Sequence, residues 1–293
     1  MIDLHIHTIY SDGTESCKTI LEKCQEKELQ YISITDHNTA LAYNELEKLN
    51  TSSLFKGNII PGIELNTKVL DIPIEILGYG IDYEKMNNLV EKVYLSPTER
   101  NKIEVSRLYK KCIENNIYLD KNCLERYTPD MFASVFFHNE ITKNDKNKAM
   151  ISPEAWNSSK DFYRQYMSDP QNKLYVEMDD LVPDFETAGN LIRNANGLIF
   201  IPHIFEYKKN SKIILKHILK NYTIDGIECY YTTFSKEQTK ELITLCTNKK
   251  LFISGGSDFH GKNKPDVNIG TGNGSLKIPE HILNNWKNSI NFF

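Results

Sequence analysis

The chain has 293 residues, about twice the ~150 of a typical single domain, so two domains or one barrel-sized domain are expected. With 40% hydrophobic, 25% charged and 11% aromatic residues, the disordered and collagen-like classes are excluded. Lys plus Arg minus Asp plus Glu is 35 − 39 = −4, which leaves no global basic field for non-specific nucleic-acid binding; phosphate recognition must be local.

The N-terminal part alternates strand and helix signals. Ile2–Thr8 reads as a strand and Ser11-Asp12-Gly13 as a turn, and Cys17, Ile20, Leu21 and Cys24 then form the i, i+3, i+4, i+7 stripe of an amphipathic helix. Tyr31–Thr35 is a second strand, Ala40–Leu49 a helix, Ile59–Leu65 a third strand and Ile72–Tyr79 a fourth, punctuated by Gly78 and Gly80. Residues 83–185 are rich in Lys, Asn, Tyr and Glu with few strand signals, and a helical run begins at Pro97; this stretch is read as a mainly helical insertion, or cap, between barrel segments 1–82 and 186–293. Alternation resumes with a helix at Phe185–Ala195, a strand at Gly197–Pro202, a helix at Ile213–Leu219 and a strand at Gly226–Tyr230. Ser235 and Gln238 form a capping box for a Lys236–Asn248 helix, and Phe252–Ser257 is the last strand. Some seven strand–helix units predict an α/β fold with a parallel sheet and favour a barrel over an open sheet.

No stretch approaches the ~18 apolar residues of a membrane span. Met1-Ile2-Asp3-Leu4-His5 lacks the basic segment and apolar run of a secretory signal. The six cysteines are scattered without a C-x-x-C pair, so reduced core thiols and a cytoplasmic location are expected.

Five of the eight histidines fall where predicted strands end: His5, His7, His37, His203 and His260. That is the end of a βα barrel at which active sites lie. His5 and His7, two apart on a strand, point to one face and suit a shared metal ion. Asp12 follows in the next turn, Glu64 ends the third predicted strand, and Asp258 precedes His260 by two. Three such carboxylates in a partly buried mouth carry −3, an expensive charge unless cations compensate it. Mixed imidazole and carboxylate donors suit Zn, Mn or Fe better than Ca or Mg. His138, His217 and His281 lie in helical or loop context and read as solvated surface groups.

His5-x-His7, Ser11-Asp12-Gly13, Thr35-Asp36-His37-Asn38-Thr39, Gly62-Ile63-Glu64 and Gly256-Ser257-Asp258-Phe259-His260-Gly261 together resemble the successive motifs of the PHP (polymerase and histidinol phosphatase) superfamily. The match is best to its stand-alone metal-dependent phosphoesterases, and the motifs run from residue 5 to residue 261. The resemblance implies a distorted (β/α)7 barrel of TIM type with a helical insertion, and two to three divalent ions. His5, His7, Glu64 and Asp258 would hold one, and Asp12, His37 and His260 another. A third would lie between Glu64, His203 and the residue before Ile-Leu-Gly-Tyr. Relatives usually have His there and this chain has Glu75, so an exchange of ligand type is expected. Relatives also carry a Gly-Arg-Pro-His-like segment in the insertion. The nearest match here, Tyr127–Ala133, lacks its basic and imidazole groups. Arg100 and Arg107, seven apart on one predicted helix, are candidate phosphate contacts, with solvated surface arginines as the alternative. Tyr163, Tyr166 and Tyr175 are candidates for base stacking or for plain packing.

The implied activity is hydrolysis, by metal-activated hydroxide, of a phosphate monoester or terminal phosphodiester of a small nucleotide or short oligonucleotide. Asp12, His37, Glu64, Asp258 and His260 would be the catalytic set. Alternatives are a histidinol-phosphate-type small-molecule phosphatase, a C–N hydrolase and a non-hydrolytic metal-binding remnant. No long duplex nucleic acid and no membrane are expected as partners.

Overall fold

The computed structural model describes residues 1–129 and 131–293. Two compact units result: Met1–Val93 with Val182–Phe293, and Tyr94–Leu181. Asp130, within the Tyr127–Ala133 segment singled out above, lies outside the described residues.

The first unit begins with β1 (Ile2–Ile6), every residue of which is buried, and α1 (Cys17–Glu26). Ser16 caps α1 by accepting the Thr19 N–H, and Cys17, Ile20, Leu21 and Cys24 are its buried stripe, as the periodicity predicts. Next come β2 (Tyr31–Ile34), α2 (Leu41–Leu46) and a single helical turn, α3 (Thr51–Leu54). The predicted third strand is in fact two, β3 (Asn58–Ile59) and β4 (Gly62–Val69), because Pro61 has no N–H to continue a ladder. Glu64 therefore stands near the beginning of β4, not at a strand end. β5 (Ile72–Tyr79) and α4 (Tyr83–Val90) complete this half.

The second unit is helical, with no strand among its described residues: α5 (Pro97–Glu114), α6 (Ala133–Thr142), α7 (Pro153–Asn157) and α8 (Ser159–Phe162). A reciprocal capping box between Ser96 and Glu99 starts α5. Leu108, Cys112, Phe136, Phe137, Ile141 and Phe162 form its own buried core.

The first unit resumes with α9 (Phe185–Asn194), β6 (Leu198–Ile201), α10 (Ser211–Asn221), β7 (Gly226–Tyr231), α11 (Lys236–Lys249) and β8 (Phe252–Gly256). The Ser235–Gln238 capping box is present. Leu4, Leu77, Tyr79, Phe200 and Trp286 pack in one buried cluster. The Tyr79 hydroxyl donates to the Leu4 carbonyl (2.9 Å) and Trp286 Nε1 to that of Ile253 (3.1 Å).

The described strands form two sheets, ordered β1-β2-β3 and β4-β5-β6-β7-β8, and no closed barrel of parallel strands is found among them. β4 and β5 form an antiparallel hairpin, and β5 and β6 are antiparallel too. The hairpin turn, Leu70-Asp71, has φ of 54° and 57° at its two residues, the geometry of a type I′ turn built without the Asn-Gly or Asp-Gly that announces one. Among the described residues, isolated bridges join the two sheets, Ile6 to Phe259 and His37 to Glu64. Both bridges carry histidine-bearing loops toward one place. Gly256 permits the first: a Cβ there would stand 2.1 Å from that of His5.

All six cysteines are buried and free, as expected. His281 alone of the three remaining histidines is exposed. His138 is half-buried with Nε2 3.1 Å from the Trp156 carbonyl oxygen, and His217 is half-buried, because each packs on an aromatic ring of its own unit, Phe162 and Tyr222 respectively. No described helix is long and apolar enough to cross a membrane.

Candidate metal centre

The donor side chains reach the centre from six strands or the loops that follow them. His5, in β1, and His7, just past it, share a face as strand periodicity requires, and both are fully buried. His37 follows β2, Glu64 opens β4, Glu75 lies within β5, His203 follows β6, and Asp258 and His260 follow β8. Asp12 is brought in by the loop after β1. Buried Asp36 pins that loop, accepting from the Thr8 N–H (2.7 Å), the Thr8 hydroxyl (2.6 Å) and the Ser11 hydroxyl (2.6 Å). Buried Asp3 does the same for the loop after β8, through Ser257 N (2.8 Å), Ser257 Oγ (2.6 Å) and Gly270 N (2.7 Å).

Glu64 is the hub. Its Oε2 lies 3.1 Å from His5 Nε2, 3.2 Å from His7 Nε2 and 3.4 Å from His37 Nδ1, and its Oε1 lies 2.9 Å from His203 Nε2. Asp258 Oδ1 is 3.5, 3.3 and 3.3 Å from nitrogens of His5, His7 and His260. Asp12 sits 3.1 Å from His260 Nε2 and 3.8 Å from His37 Nε2. Glu75 sits 3.3 Å from His203 Nε2 and 3.8 Å from His37 Nδ1. All nine donors named from the sequence meet here.

Among the described residues, four groups have ligand atoms within 4.8 Å of one another: His7, Asp12, His37 and His260; His5, His7 and Glu64; His5, His203 and Asp258; His37, Glu64 and Glu75. The donor chemistry fits divalent cations. His7 Nε2 and His37 Nδ1 are buried beside carboxylate oxygens and yet make no hydrogen bond, the posture of a lone pair meant for an ion.

Electrostatics agree. Burial alone would lower the imidazole of His7, but Asp258 and Glu64 carry its pKa up to about 9. Burial is likewise outweighed at His203, again about 9, by Glu64 first and then Glu75 and Asp258. His5 stands well above its ordinary value against the same burial, held by Glu64, Glu228 and Asp258. Glu64 and Asp258, despite burial, lie well below the usual carboxyl range because of those imidazoles. Glu75 is pushed up to about 7 by burial and then by the Glu64 charge. His37 falls to about 4, burial leading. Protons on the imidazoles balance the carboxylates here, and bound cations would displace them.

Several supporting residues escaped the sequence reading. Glu228 accepts from His5 Nδ1 (3.0 Å) and from the His203 backbone N–H (2.8 Å) and is fully buried. Tyr231 donates its hydroxyl to Asp258 Oδ2 (2.7 Å), which also receives Lys264 Nζ. Their signal was slight: one acid inside the apolar run Gly226-Ile227-Glu228-Cys229, and another, Asp3, inside Ile2–Ile6. Arg100 is exposed on α5, while Arg107 is engaged within its own unit by a bidentate pair with Asp180 (2.6 and 2.7 Å) and by the Glu177 carbonyl. Tyr163 is exposed, Tyr175 half-buried, and Tyr166 stacks on Phe162.

A nest of imidazoles and carboxylates on an α/β frame defines a metal-dependent hydrolase, and the comparisons agree. The PHP domain family matches residues 3–180, well over half of the chain; the protein belongs to that family. It is accordingly a metal-dependent phosphoesterase. The 5′-3′ exoribonuclease Rnm of Salmonella typhimurium is 24% identical over 290 residues, covering 97% of this chain and 92% of the relative. A phosphoribosyl 1,2-cyclic phosphate 1,2-diphosphodiesterase of Eggerthella lenta is 22% identical, covering 89% and 94%. Among solved structures, a Bifidobacterium adolescentis protein assigned as a metal-dependent phosphoesterase superposes with TM-score 0.68 at 18% identity, covering 99% of this chain and 96% of that one. An amidohydrolase of Chromobacterium violaceum with bound sulfate also gives 0.68, at 19% identity, covering 98% and 95%. At such identities the structures attest the shared fold.

Proposed function

We propose that the protein hydrolyses a phosphate monoester or terminal phosphodiester of a small nucleotide or short oligonucleotide. The observation that carries this reading is the convergence of five imidazoles on the carboxylates of Glu64 and Asp258, with Asp12 and Glu75 closing on the same imidazoles. His5, His7, Glu64 and Asp258 would hold one ion, Asp12, His37 and His260 a second, and Glu64, Glu75 and His203 a third. Bound Mn, Fe or Zn supplies acidified water and a counter-charge for the phosphoryl oxygens.

The chain's own residues shape the reaction around that chemistry. Glu64, shared by four imidazoles, sets the spacing of the donor groups. Asp12, whose side chain is 55% exposed, and Glu75, at 29%, are the donors most open to solvent, so substrate is met on their side. Lys264, 40% exposed and ion-paired to Asp258, adds a positive charge beside the centre for an entering phosphate. The acidic net charge and five arginines disfavour long nucleic acid, and the named relatives act on an RNA end and on a cyclic phosphate.

The test is a panel of nucleoside bisphosphates, a cyclic ribose phosphate, histidinol phosphate, and 5′-phosphorylated and 5′-hydroxyl oligonucleotides, scored for released phosphate and nucleotide. Turnover confined to small esters and free ends supports the reading. Cleavage of circular single strands as fast as linear ones refutes it.

A further inference from the structure

Glu228 lies outside the nine donors and has no part in the reading above, yet it touches β1 and the segment that follows β6, both of which build the centre. Its position depends on an irregularity in β7: Glu228 pairs with Ser254 but Tyr230 with Gly255, so Cys229 is an extra residue on this strand. Such bulges re-aim side chains. Regular alternation would turn Glu228 and Tyr230 to one face; with the extra residue, Glu228 and Tyr231 both reach the cluster, one at His5 and one at Asp258.

Both carboxylate oxygens of Glu228 are committed. Oε1 faces His5 Nδ1 at 3.0 Å and Oε2 accepts the His203 N–H at 2.8 Å. His203 is held at φ 24°, an uncommon backbone for a residue with a side chain, and this hydrogen bond secures it. The side chain is fully buried, so no water can substitute for either contact. An imidazole with Nδ1 donating to a carboxylate presents Nε2 as its metal-binding atom. In His5 that Nε2 lies between Glu64 Oε2 and Asp258 Oδ1.

We infer that Glu228 is a positioning residue of the metal centre: it fixes His5 with its proton on Nδ1, so that Nε2 is turned to an ion, and it holds the His203 backbone in place. The inference rests on His5 being a ligand, as proposed above. Glu228→Gln is the informative change, because it keeps volume and loses one acceptor. A carboxamide has one oxygen for two donors. With that oxygen on His203 N–H, the amide NH₂ faces His5 Nδ1, and the ring must move its proton to Nε2 and give up the ligand atom. With the amide reversed, NH₂ meets the His203 N–H.

Zinc affinity is measured by chelator competition on wild type, Glu228→Gln and His5→Ala, with circular dichroism as the check on folding. In Glu228→Gln, affinity at the tightest site is expected to fall about 10- to 100-fold with the spectrum unchanged. Wild-type affinity in Glu228→Gln alongside weakened His5→Ala overturns this inference alone; wild-type affinity in His5→Ala overturns the metal-centre reading itself. Should Glu228→Gln fail to fold, ¹⁵N-resolved imidazole spectra of zinc-loaded wild type decide the matter. A His5 proton on Nδ1 is expected, and one on Nε2 refutes the inference.

Discussion

Asp258 divides its two oxygens between tasks: Oδ1 faces three imidazoles, and Oδ2 is held from behind by Tyr231 and Lys264. Asp258→Asn keeps this volume and removes the charge. It is expected to lower bound metal and to cut hydrolysis by about 100-fold or more, with the circular-dichroism spectrum of the folded protein unchanged. Unchanged turnover and metal content would show that Asp258 is no ligand. At Glu75, Glu75→Ala should cost far more activity than Glu75→His, and the histidine variant should shift metal preference toward zinc, imidazole being the softer donor. Equal activity of Glu75→Ala and wild type would reduce Glu75 to a solvent-facing acid. The raised imidazoles also set a pH dependence for the metal-free protein. With folded values near 9 against 6.5 unfolded, His7 and His203 contribute stability that is complete below about pH 6.5 and lost as pH rises through 9. Glu75, raised to about 7, acts in the same direction. Thermal melts of chelated protein should therefore fall between pH 6.5 and 9; a rise over that window would contradict the charge balance described here.

The hairpin of β4 and β5 shows how an element can hide from its sequence. Leu70-Asp71 carries no turn signature, and Pro61 breaks an apolar run that otherwise reads as one strand. The pairing is decided by contact along the whole of both strands, from Gly62–Tyr79 to Val69–Ile72, which outweighs the local cost of Leu70 at positive φ. Helix starts were more legible, because a cap lies within four residues of what it caps. Ser235→Ala removes half of one such box at the exposed start of α11 and should cost about 1 kcal/mol in chemical denaturation without altering metal content. Gly256→Ala should behave differently. Its Cβ would lie 2.6 Å from His5 N, so β8 must withdraw from β1 and take Asp258 with it. Loss of both thermal stability and metal affinity is expected, measured by melting with and without added Mn. A variant with wild-type affinity would mean that the two strands can separate without disturbing the donors.

Taken whole, the first unit concentrates buried charge at one end of its strands, and bound cations should stabilise it by mass action. Chelation is expected to lower its melting temperature, and Mn, Fe or Zn to restore it; no shift on chelation would argue that the imidazoles fold equally well around protons alone. The nine side chains that converge here could be picked out in the chain because strand spacing and short motifs are local: His5-x-His7 and Asp258-x-His260 lie within three residues of each other. The enzyme class could be read from that order of motifs. Composition and periodicity likewise marked a helical stretch between the two runs of strands. The antiparallel strands, the two separate sheets and the supporting shell were not legible. Asp3 meets Gly270 across 267 positions and Glu228 meets His5 across 223, and nothing near either acid in sequence announces its partner. Arg107, a plausible phosphate ligand by spacing, is engaged by Asp180, 73 residues away. Periodicity and spacing report which side chains share a face; which face meets which partner is set by the packing of the entire chain.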